Sequence, residues 1–285
     1  MSILKNILCN LNKHERDENI SFEEKEHKYT ILDEGSSTTP YISTTTFIHK
    51  HFEEFDSDTI IDKMFKGRNW NINNKYWGMN KEEIKKLWSD NSSMVSKEGT
   101  NLHFDIECFM NQELKSNIKY THKNLYKNYF KKKNIQNTNI EWKYFLNFIN
   151  YFPNFKPYRT EWLIYDSEVK IAGSIDMVYK NKDNSISIFD WKRTKKIDKT
   201  NAWNKYSHTE CISHLPDSNF WHYTLQLNIY RYILEKNYNE NVKDLYLVRL
   251  HPNNTNQSFE LIKIPILIDE IKDLFEYRKS NLKYN

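Results

Sequence analysis

The chain has 285 residues, a net charge of +4, 15% aromatic residues, and only 5 glycines and 6 prolines. That length suits one large domain, or one domain with an extension, and allows a core that needs no disulfide or metal staple. The aromatic content argues against disorder, the low glycine and proline argue against collagen-like and low-complexity classes, and no apolar run approaches the ~20 residues of a membrane span.

Cys9, Cys108 and Cys211 are far apart and form no CxxC pair. A disulfide scaffold or a four-thiolate site is therefore not expected, and the cysteine usage points to a reducing, intracellular compartment. Cytoplasm, nucleus, viral factory and mitochondrion all stay open. The first ten residues carry no secretory signal. The mildly basic balance permits a polyanionic partner without requiring one. No protein partner is readable.

In chain order, the first ~20 residues are polar and read as loosely held. Residues 20–32 read as a short hairpin. Residues 43–52 read as a helix start with Ser43, Thr44 and Thr45 as cap candidates and Phe47, Ile48 and Phe52 as apolar positions. Residues 58–65 and 80–88 read as two short helices, with an Asn- and aromatic-rich loop between them. Trp70, Tyr76 and Trp77 in that loop either stack on unpaired bases or pack a small subdomain, and packing is the favoured reading.

Residues 96–114 read as a helix, with Leu102, Ile106, Phe109 and Met110 at three-and-four spacing. Residues 115–139 are polar and basic, including Lys131, Lys132 and Lys133. Residues 140–152 read as an amphipathic helix stopped near Pro153 and Pro157. Three strand-like runs follow at 158–165, 170–179 and 185–194, separated by turn-forming residues. A helix over 218–235, a strand over 244–249, a further strand over 258–264 and a closing helix over 268–282 complete the chain. Three adjacent strands form a meander, and a helical crossover can bring a fourth strand alongside. The fold class is α/β (α+β), with a central mixed sheet flanked by helices.

The sharpest chemical feature is Asp176 followed by Asp190-Trp191-Lys192 on the next strand. Side chains alternate along a strand, so Asp190 and Lys192 share a face. Neighbouring strands lie ~4.8 Å apart, so Asp176 and Asp190 can reach one cation. Two carboxylates with a main-chain carbonyl suit Mg²⁺ or Mn²⁺. A lysine beside them can help deprotonate an attacking water or stabilise charge on a phosphate, as metal-assisted phosphodiester hydrolysis requires. An Asp-x-Lys at a strand end is commonly only a solvated ion pair. Here it directly follows the apolar run Ile186, Ile188, Phe189, which places it at the rim of a core. A second element is Gly99, His103 and Glu107, spaced four apart on one helix face distinct from the apolar face. A third is Gln226 and Tyr230 on the helix after the strands.

GTxxH, then Glu161, then GSID, FDWK and QLNIY follow in this order over residues 96–249. The order resembles the RecB-like branch of the PD-(D/E)XK nuclease superfamily, which includes λ exonuclease and mitochondrial genome-maintenance exonuclease types. The resemblance implies a restriction-endonuclease-like core over 96–285. It also implies a mainly helical extension over 1–95 that can form a cover over the active site. It makes His103, Asp176, Asp190 and the Trp191 carbonyl metal ligands, and Lys192 the catalytic lysine. Glu161 becomes a carboxylate that helps with metal or water, and Glu107 a buttress for His103. Gln226 and Tyr230 support the site and contact nucleic acid, as do Arg193, Thr194, Ser43 and Thr44. Lys192, Arg193, Lys195, Lys196 and Lys199 crowd just past the site, with Arg159 and Lys170 near in sequence, a pattern that suits phosphate but is also common on solvated loops. No iron–sulfur cluster is expected, because no cysteines cluster after Tyr230.

The expectation is a Mg²⁺- or Mn²⁺-dependent DNA nuclease, an exonuclease acting on free, single-stranded ends, with no membrane association. The alternatives are an endonuclease on RNA or structured DNA, and a catalytically idle nucleic-acid-binding module of the same fold.

Overall fold

A computed structural model describes residues 6–32, 40–131 and 137–283. In chain order the elements are α1 (Ile7–Leu11), β1 (Ile20–Glu23), β2 (Lys28–Ile31), β3 (Ile42–Ser43), α2 (Thr44–His49), α3 (Ser57–Phe65) and α4 (Lys81–Met110). They continue with α5 (His122–Lys131), α6 (Ile140–Tyr151), β4 (Lys156–Asp166), β5 (Ile171–Lys180), β6 (Ile186–Lys192), α7 (Asn219–Asn237), β7 (Val242–Arg249), β8 (Glu260–Lys263) and α8 (Ile268–Lys283). The class is α+β.

β4, β5 and β6 form the expected antiparallel meander. α7 then crosses over, and β7 joins β6 in parallel, its Leu247 opposite Asp190. β8 closes that edge, and β3 adds to β5 in parallel, which makes a six-stranded mixed sheet. β1 and β2 form a separate two-stranded hairpin.

Both faces of the sheet are covered, so its strands are apolar on both sides. Ile164, Ile175, Ile188 and Leu247 pack against α2, α7 and α8. Met177, Phe189, Trp191 and Val248 pack with α1, α4, α5 and α6 on the other face. The neighbours Ile188 and Phe189 fall into opposite cores, as strand alternation requires.

Three expectations need correction. Residues 6–20 are not loosely held. Leu8 is fully buried, and Asp17 pairs with the buried Arg159 at 2.8 Å and accepts from Trp162 Nε1 at 3.0 Å. The two helices expected at 80–88 and 96–114 are one 30-residue helix, α4, opened by a capping box between Asn80 and Glu83. No proline interrupts residues 81–110, and the Ser and Asn residues at its middle weaken a helix without breaking it. A boundary at residue 95 therefore falls inside a helix. β3, α1 and α2 from the expected extension belong to the main sheet and its two cores. The basic stretch after residue 115 contains α5, whose Leu125 is fully buried; Lys132 and Lys133 lie outside the described residues.

At ~1.5 Å per residue α4 is roughly 45 Å long. Its buried residues are Ile84 at one end and Leu102, Ile106, Phe109 and Met110 at the other. The first half reaches out to α3, where Trp70 packs on Phe65 and Trp77, and Tyr76 accepts a hydrogen bond from Trp88 Nε1 at 2.7 Å. The loop aromatics thus build a small satellite core. Among the described residues no helix is long and apolar enough to cross a membrane.

Candidate functional site

The sheet forks where the chemistry gathers. β4 accompanies β5 along one side for its full length. On the other side β5 meets β3 at Ile171 and Ala172, then meets β6 only from Met177 onward. β6 meanwhile continues beside β7 through Lys192. β5 and β6 therefore separate at Asp176 and Asp190. Asp176 Oδ2 spans the first gap by accepting Trp191 N–H at 2.9 Å.

Gly173 lets α7 approach this fork. A Cβ there would lie 2.5 Å from Tyr230 Cε1 and 2.9 Å from Thr44 Oγ1, closer than packed atoms tolerate. Glycine serves here for close approach, not for a special backbone angle.

Glu161 lies on β4 between the pairs Thr160↔Met177 and Trp162↔Ile175, opposite Asp176, with a left-handed φ of 43°. A non-glycine residue in this region stores strain. The departure turns Glu161 to the α4 side beside Thr160, which accepts from Asn111 Nδ2 at 2.9 Å, while Trp162 packs in the opposite core. Ser174 Oγ donates to Glu161 Oε2 at 2.8 Å.

His103 reaches in from α4. Its Nε2 is 2.9 Å from the Trp191 carbonyl, and its Nδ1 is 3.6 Å from Asp176 Oδ2. A carbonyl only accepts, so Nε2 carries the proton, and in the neutral ring the Nδ1 lone pair faces the carboxylate. One ligand atom each from His103, Glu161 and Asp176 lie within 4.8 Å of one another. One imidazole nitrogen and two carboxylates form a donor set that can hold a divalent cation.

This set differs from the expected one in two respects. Glu161 is one of the three converging donors, where Asp190 was expected. Asp190 is 3% exposed and forms an ion pair with Lys192 at 2.7 Å. The Trp191 carbonyl, expected as a ligand, lies 2.9 Å from His103 Nε2.

Lys192 is held from three sides: by Asp190, by Gln226 Oε1 at 3.5 Å, and by the Tyr223 ring 4.5 Å beneath its ammonium. Gln226 Nε2 donates to Tyr230 OH at 3.1 Å. Gln226 and Tyr230 thus support the lysine. Tyr230 is 4% exposed and packs beneath the site, not on its surface.

Burial, reinforced by the Asp176 charge, pushes Glu161 up to about 7. Burial pushes Asp190 up to about 6 against the opposing pull of Lys192. Burial works against the Lys192 ammonium, but the Asp190 and Asp176 charges more than offset it and hold the lysine above its ordinary value. The ion pair with Asp190 thus favours the charged form of Lys192.

No family model matches the chain, and no curated protein matches it. It is similar to a solved structure, that of SSO0001. The likeness is 12% in sequence with a TM-score of 0.35, over 92% of this chain and 82% of that one.

Beside the trio a cleft of about 750 Å³ is lined by His103, Glu107, Glu161 and Ser174, together with Phe22 and Phe104. Glu107 is raised by burial and adds a further carboxyl to that wall. The remaining expected nucleic-acid contacts are mostly engaged internally. Arg193 bridges Glu98 at 2.6 Å and Glu141 at 2.7 Å, clamping α4 and α6 to the end of β6. Ser43 caps α2 by accepting Thr46 N–H at 3.0 Å. Thr44 is buried and donates to the Ala172 carbonyl at 3.2 Å. Thr194 Oγ1 donates to the Lys196 carbonyl at 3.1 Å. Arg159 is committed to Asp17.

Two contributors escaped the sequence reading. Ser174 lies two residues before Asp176 on the same strand, and that spacing was the available signal. Tyr223 lies one helical turn before Gln226, yet nothing in sequence distinguishes it from a core tyrosine.

Proposed function

We propose that the chain is a Mg²⁺- or Mn²⁺-dependent phosphodiesterase that hydrolyses DNA, working as an exonuclease on free, single-stranded ends in the manner of the RecB-like branch. The carrying observation is the fork between β5 and β6, where His103, Glu161 and Asp176 converge beside the buried Asp190–Lys192 pair. His103 Nδ1 and the Glu161 and Asp176 carboxylates would hold the ion. When bound, such an ion polarises a phosphoryl oxygen and makes water a better nucleophile.

The chain's own residues supply the rest. The Lys192 ammonium, fixed by Asp190 and Gln226, meets negative charge building on the phosphate without having to reorganise. The Trp191 carbonyl keeps His103 turned toward Asp176. Ser174 Oγ donates to Glu161 Oε2 and keeps that carboxylate turned toward the ion's place.

The test is a cleavage assay on end-labelled single-stranded, double-stranded and circular DNA with Mg²⁺, Mn²⁺ or EDTA, comparing the wild type with Lys192→Ala. Metal-dependent loss of linear DNA, absent in the variant and sparing circles, is the expected result. Cleavage of circles would replace the exonuclease reading with an endonuclease, and cleavage of RNA but not DNA would replace the substrate. Binding without turnover on every substrate and metal would leave an idle module.

A further inference from the structure

The segment 193–206 leaves β6 directly after Lys192 and carries Trp203, which is 82% exposed. Tryptophan is seldom left in water, because burying its ring is strongly favourable. This one is held there. Asn201 Oδ1 accepts the N–H groups of Trp203 at 3.0 Å and Lys205 at 2.9 Å. The same side chain donates to the carbonyls of Lys205 at 2.7 Å and Asp217 at 2.8 Å. One asparagine therefore ties off the turn that displays the ring.

The segment is fastened to the first turn of α7, the helix whose later turns hold Lys192. Asn219 accepts from Asp198 N at 2.9 Å and donates to the Lys196 carbonyl at 2.8 Å, and Trp221 Nε1 donates to the Lys199 carbonyl at 3.0 Å. Lys195, Lys196 and Lys199 are exposed, and Asp198 is the single acid in the segment. Lys199 Nζ lies 4.8 Å from the centroid of the Phe220 ring while its side chain stays exposed, and the other two cations are paired with acids, Arg193 with Glu98 and Glu141, and Lys205 with Glu53.

We propose that this segment is a platform for an unpaired DNA strand, with Trp203 stacking on a base and Lys195, Lys196 and Lys199 neutralising adjacent phosphates. An exposed indole and exposed lysines carried on one segment are the chemistry that binds unpaired strands, because every base offers a π-face and every linkage a charge. Base pairing hides those faces, so a blunt duplex satisfies the lysines but not the tryptophan. The proposal rests on the reading of the chain as an enzyme of single-stranded DNA and identifies the segment that grips the strand.

The test is fluorescence anisotropy of a labelled oligothymidylate and of a blunt duplex of equal length, in EDTA, so that cleavage does not enter. Trp203→Ala is expected to weaken single-strand binding by about 5-fold or more, and Trp203→Phe to keep most of it. Lys195→Ala/Lys196→Ala is expected to lower the slope of log affinity against log salt by about 1.4, the loss of two phosphate contacts on a single strand. All these side chains are exposed, so each variant should melt with the wild type. Unchanged affinity in Trp203→Ala overturns the platform, and so does wild-type binding of the blunt duplex as tight as that of the single strand. A protein that cleaves DNA but shows no Trp203 effect loses only the platform. One that binds through Trp203 but does not cleave in Mg²⁺ or Mn²⁺ keeps the platform and loses only the proposed activity.

Discussion

Glu161 combines a strained backbone with a carboxyl held near Asp176, and the two features belong together. The left-handed φ of 43° turns the side chain toward α4, where burial and the Asp176 charge raise it to about 7. Unfolded, the same carboxyl titrates at its ordinary, lower value. The folded state therefore binds the extra proton, and the stability this confers is complete below the ordinary glutamate range and lost as pH rises to about 7. Glu161→Gln removes the titration, so thermal melting of the metal-free variant across that window should show a flatter profile than the wild type. The Asp190–Lys192 pair answers a different test. Lys192→Ala leaves Asp190 buried without its cation and should cost about 3–5 kcal/mol in urea unfolding. Asp190→Asn/Lys192→Met removes both charges and should recover most of that loss while remaining inactive toward DNA, which separates folding from catalysis.

At the level of elements, the fork depends on α7 lying against β5 at Gly173. A methyl group there meets the buried Tyr230 ring at 2.5 Å, and neither partner has room to move. Gly173→Ala should therefore destabilise by about 1–3 kcal/mol and tilt the helix that carries Gln226. Gly173→Ala/Tyr230→Leu should regain stability, and the measurement is paired urea titrations of the two variants. The meander and α7 were legible in sequence because their apolar runs are long and bounded by turn residues. α4 was not, since nothing in its polar middle buries a side chain and periodicity falls silent there. That Asp176, Asp190, Lys192 and His103 gather in one place was legible from their spacing. The partition among them was not: Glu161 joins His103 and Asp176 through a backbone irregularity that carries no sequence mark, while Asp190 turns to Lys192. Arg193 and Arg159 read as surface cations because their acidic partners, Glu98, Glu141 and Asp17, are distant in sequence.

Over the whole molecule, two buried histidines, one by α2 and one on α5 across the sheet, contribute to its response to acid. His122 on α5 is fully buried with Nε2 2.9 Å from Tyr179 OH on β5, and burial lowers it to about 3. His51, just past α2, lies with Nδ1 2.8 Å from Thr209 Oγ1, and burial lowers it to about 4. Both are neutral when folded and take up protons on unfolding once pH falls below the ordinary histidine value. Their contribution to stability is complete above that value and is lost as pH falls toward about 4 and about 3, opposite in sign to that of Glu161. Each adds about 1.4 kcal/mol per pH unit to the slope within its window. His122→Gln keeps a donor for Tyr179 but no longer titrates. Between about pH 6 and about pH 5, where carboxylates with ordinary values contribute little, the slope of unfolding free energy against pH should fall by about that one-proton amount. An unchanged slope would mean that α5 has already detached from the sheet before the protein unfolds, leaving His122 open to protons in the folded state.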